Sequence, residues 1–82
     1  MKKDIKIGSI EHNAYMDLFA FHRNYGTPEI DNEKYWDDMV DAAGLVDRKY
    51  RGTYMEPMVT NFMVALMGAL DAEARRMRDG KN

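Results

Sequence analysis

The stretch Met55-Glu-Pro-Met-Val-Thr-Asn-Phe-Met-Val-Ala-Leu-Met-Gly-Ala-Leu70 carries four of the chain's eight methionines and sets the terms for everything else. Read at 3.6 residues per turn, Val59, Phe62, Met63, Leu66, Met67, Leu70, Ala74 and Met77 form one apolar stripe. A second strip of small residues, Ala65, Gly68, Ala69 and Ala72, runs beside it. A surface helix needs an apolar stripe of only about 100° to pack on one neighbouring layer. This helix is apolar over more than half its circumference, so it has to be covered on more than one side.

The rest of the chain has to supply that cover from 82 residues. A domain of this size buries only about 60 to 65 % of the surface its unfolded chain exposes, which makes it marginal alone. It has no cysteine, hence no disulfide framework, thiolate metal site or thiol nucleophile. Stability has to come from packing, and a second copy of the chain would add to it.

Two more helices are legible. Ser9 is placed to cap a helix over residues 10–25, and Gly26-Thr27-Pro28 to stop it. Ile10, Ala14, Leu18, Phe21 and Tyr25 share its inner face, flanked by Tyr15, Phe19 and His22. Asp31 or Asn32 can cap a second helix over about 32–51, with Trp36, Met39, Val40, Ala43, Val46 and Tyr50 turned inward and Gly52 as terminator. The third helix is expected over 57–78, opening on Pro57 because that proline disfavours helical geometry at Glu56. Residues 1–8 read as a frayed end or a short extended arm. The expectation is therefore one all-α domain over 1–82, a three-helix arrangement with the third helix central and dimerisation completing it.

Function is far less legible. No apolar run reaches signal-peptide or membrane-spanning length, so no membrane role and a cytoplasmic location are expected. His12 and His22 are the only imidazoles and stand in no metal-ligand or catalytic spacing, so no cofactor, metal or catalysis is expected. The formal charge is −2, and residues 26–52 hold seven acidic side chains against four basic. Asp37, Asp38 and Asp41 share a helix face, either a solvated surface or an anionic one that docks on a basic partner such as a nucleic-acid-binding protein. Arg75, Arg76, Arg78 and Lys81 gather at the other end, suited to a helix C-terminus or, alternatively, to phosphate. No basic stripe is visible, so nucleic acid is the lesser reading.

The order Phe21-His-Arg-Asn-Tyr-Gly26, Glu33-Lys-Tyr-Trp-Asp-Asp-Met-Val40, Asp47-Arg-Lys-Tyr50 and a closing helix ending Asp71-Ala-Glu-Ala-Arg-Arg76 resembles small uncharacterised helical proteins of bacterial prophages and mobile elements. The likeness covers about residues 19–78 and rests on aromatic placement. It implies a bacterial or phage setting and no assignable activity. The methionine-rich closing helix departs from the leucine-rich one usual there. The expected role is a small protein-interaction module without cofactor or catalysis, a homodimer, using Met55, Met58, Phe62 and Met67 for apolar contact.

Overall fold

The computed structural model describes residues 1–80 and contains three helices, with no strand among those residues. The first helix, α1, spans Ile10–Tyr25, and Ser9 caps it by accepting from the His12 amide at 3.2 Å. The second, α2, spans Glu33–Tyr50. Asn32 rather than Asp31 caps it, accepting from the Tyr35 amide at 3.3 Å. The third, α3, spans Glu56–Asp79 and begins one residue before Pro57. Proline at the second helical position loses nothing, because that amide has no intrahelical partner.

Thr53 and Glu56 serve the reversal between α2 and α3. The Thr53 hydroxyl donates to the Tyr50 carbonyl at 2.6 Å and accepts from the Met55 amide at 3.2 Å. The Glu56 carboxylate accepts from the Gly52 amide at 2.9 Å. Gly52 itself sits at φ 81°, the left-handed geometry that glycine adopts without a Cβ clash.

The core gathers Ala14, Leu18 and Phe21 from α1, Tyr35, Met39, Ala43 and Tyr50 from α2, and Val59, Met63, Leu70 and Ala74 from α3. Each helix packs on both others. On α2 Met39, Ala43 and Tyr50 of the expected inner face are buried, while Val40 gives up its place to Tyr35. Tyr35 is buried, Trp36 and Val46 are half-buried, and Val40 is 54 % exposed. The cause is the Tyr35 phenol, which donates to the Tyr25 carbonyl at 2.5 Å, while its ring sits 6.0 Å from that of Tyr25 and 4.8 Å from that of Trp36. A tyrosine with its hydroxyl satisfied buries as readily as an aliphatic residue.

Residues 1–6 have no regular structure, and Lys3 ties them to α1 through an ion pair with Glu11. The radius of gyration is 14.8 Å, against about 12 Å for a globular chain of this length. The molecule is drawn out, 49 × 27 × 18 Å.

Candidate functional site

Polar links join α2 to each neighbour. Asp17 of α1 accepts from the Tyr50 hydroxyl at 2.5 Å and the Lys49 ammonium at 2.8 Å. Asp47 of α2 accepts from the Thr60 hydroxyl at 2.7 Å. No hydrogen bond or ion pair joins α1 to α3 among the described residues, and along that seam the surface opens.

The opening is an apolar groove of about 440 Å³, lined by Tyr15, Met16, Leu18, Phe19 and His22 from α1 and by Met58 and Phe62 from α3. Phe19 is 62 % exposed, and Met16 and Tyr15 are each about half exposed. These are large side chains on a helix whose other face already fills the core with Leu18 and Phe21, so their exposure is not a packing requirement of the monomer. His22, which also lines the groove, is exposed.

The four residues expected to make an apolar contact do not stay together. Met58 and Phe62 line the groove. Met55 is buried at 6 % exposure and belongs to the core, because the reversal through Thr53 turns it inward immediately before the first turn of α3. Met67 is half-buried in a separate depression between α2 and α3, beside Met63, Gly44 and Thr60. Phase separates them: on a helix Met67 lies about 140° from Phe62. Met77, read as part of the stripe, is 41 % exposed.

The charged candidates are distributed differently. Asp38 pairs with Lys34 at 2.8 Å, while Asp37 and Asp41 are exposed without an ion-pair partner among the described residues. Arg75 pairs with Asp71 at 3.1 Å, and the Arg78 guanidinium donates to the Ile30 carbonyl at 3.5 Å. Arg76 is exposed, and Lys81 lies outside the described residues. No group of three or more metal-ligating side chains occurs among the described residues, and no described helix is long and apolar enough to cross a membrane.

The Asp17 cluster fixes α1 on α2 and so keeps the groove's α1 wall in place. Burial pushes the Asp17 carboxyl up, but hydrogen bonds from Lys49 and Tyr50 and the Lys49 charge outweigh it and hold it below its ordinary value of 3.8. Burial, then the Asp17 bond, pushes the Tyr50 phenol well up. A carboxyl depressed on folding stabilises above its unfolded value, and that contribution disappears as pH falls through the folded one. Asp17→Asn should therefore lower stability at neutral pH by about 1–2 kcal/mol and flatten its decline below pH 3.8, as read by urea melts across a pH series.

No protein-family model matches the chain, and neither a curated protein nor a solved structure does.

Proposed function

We propose that this chain is a non-catalytic protein-interaction module whose working surface is the groove between α1 and α3, and whose ligand is an amphipathic helix. The observation that carries this reading is the exposure of Phe19, Tyr15 and Met16 around an apolar groove that none of the described residues fills. Grooves of this kind take the apolar face of a helix at three- and four-residue spacing, and methionine lets the lining adapt to it. The acidic surface at Asp37 and Asp41 and the basic end at Arg76 offer charge without concavity, and they rank behind the groove.

A photo-activatable phenylalanine analogue tests this in cells that express the full chain. Placed at Phe19 it should form covalent adducts with protein, and placed at Asp37 it should not. Adducts at Asp37 alone would move the function to the acidic face. Absence of any adduct at Phe19 would remove the groove reading.

A further inference from the structure

Beyond the groove the same face of α3 continues as exposed surface. On α3 the residues Met58, Phe62, Ala65, Ala69, Ala72 and Arg76 follow one another at spacings of four, three, four, three and four. Alternating steps of four and three repeat every seven residues, the pattern by which two helices keep one seam in contact along their length. Met58 and Phe62 are half-buried and the remaining four are exposed. A second face about 130° round the helix, with Val59, Met63, Leu70 and Ala74, is the one buried inside the chain. α3 thus carries two packing faces, and the chain supplies a partner for one.

We propose that the helix occupying this surface is α3 of a second copy, running antiparallel along the seam. The proposal rests on the groove reading above and names its ligand. A twofold axis midway between Ala65 and Ala69 sets Ala65 opposite Ala69 of the second copy, Phe62 opposite its Ala72, and Met58 opposite its Arg76. Each layer that holds a large side chain faces a small or flexible one. The alanine centre lets the two helix axes approach closely. The arginine stem can lie over Met58 while its guanidinium reaches the aromatic rim of Tyr15 and Phe19.

The exposed area agrees in size. The chain exposes 6045 Å², whereas a globular chain of 9.5 kDa exposes about 5,000 Å². A stable complex of ordinary size covers about 800 Å² on each partner, which lies within this surplus, to which the irregular residues 1–6 also contribute. A foreign helix would need only the groove, and it would leave Ala65, Ala69 and Ala72 in a register with no use.

Light scattering on the full chain across a dilution series should give twice 9.5 kDa at the concentrated end. Ala69→Arg, at an exposed position, should return the mass to that of one chain while the helical melt stays cooperative. Because the chain has no cysteine, an equal mixture of Ala65→Cys and Ala69→Cys chains reads the register. The mixed disulfide should exceed its statistical share. A single-chain mass at every concentration, or an Ala69→Arg variant that keeps the doubled mass, overturns the proposal. A statistical mixture of disulfides overturns the antiparallel register. If the mass is that of one chain yet Phe19 still crosslinks to a different protein, the second copy fails and the groove reading stands.

Discussion

Val59→Asp should abolish folding at 25 °C, with the far-ultraviolet helical signal and the cooperative melt lost together. Val59 has no exposed surface and is the first buried residue on the inner face of α3, at the end of its first turn. No buried polar or charged residue lies among the described core to receive a carboxylate. An unpaired charge in such a place costs several kcal/mol even after it takes up a proton. A domain of 82 residues has only about 4–12 kcal/mol of stability in total. The companion Val59→Ala removes two carbons without adding charge and should cost about 2 kcal/mol, leaving a folded chain with a lower melting temperature. A folded, cooperative Val59→Asp protein would mean that α3 presents another face to α1 and α2.

Two phenylalanines a half-turn apart should behave in opposite ways. Phe21 is 3 % exposed and its ring lies 5.2 Å from that of Tyr25, so Phe21→Ala should cost about 3–5 kcal/mol through lost burial and the cavity it leaves. Phe19 is 62 % exposed, so Phe19→Ala should change stability of the isolated fold by no more than about 0.5 kcal/mol. Its effect should fall on association, because a truncated aromatic at the rim of an apolar groove removes an anchor. Chemical denaturation of both variants at low protein concentration separates the two contributions. Equal destabilisation by the two would show that the groove is part of the core.

What could be read from the chain was decided by how local each signal is. Ser9 and Gly26 bound α1 at the residues expected of it, since capping and termination are settled within one turn. Pro57 misplaced the start of α3 by one residue, because the second helical position tolerates proline as well as the first. Met39, Ala43 and Tyr50 of the expected inner face of α2 are buried and Trp36 and Val46 pack against the core, but Val40 was included and Tyr35 missed, because Val40 fits the three-four rhythm as well as Tyr35 does. Only the Tyr25 carbonyl at the end of α1, distant in sequence, decides between them. Met63 of the stripe is core as its phase implies, whereas Met55, grouped with Met58 as an apolar contact, is core while Met58 belongs to the groove. That division depends on where α1 lies. Tyr15, Phe19 and His22 were visible as flanking residues, whereas nothing in the pattern singled out Met16. The small-residue strip was legible as a strip, and its register with Met58 and Phe62 acquires meaning only once their exposure is known.

Peroxide footprinting of the methionines, read by mass spectrometry at high and low protein concentration, tests most directly whether the α1/α3 face is a covered surface. Met39, Met55 and Met63 should resist oxidation at both concentrations, since they are between 2 % and 6 % exposed. Met77, 41 % exposed and off the seam, should oxidise at both. Met16 and Met58 should be protected in concentrated protein and should become reactive on dilution. If they oxidise as fast as Met77 at every concentration, no second copy covers the groove and the central claim is contradicted.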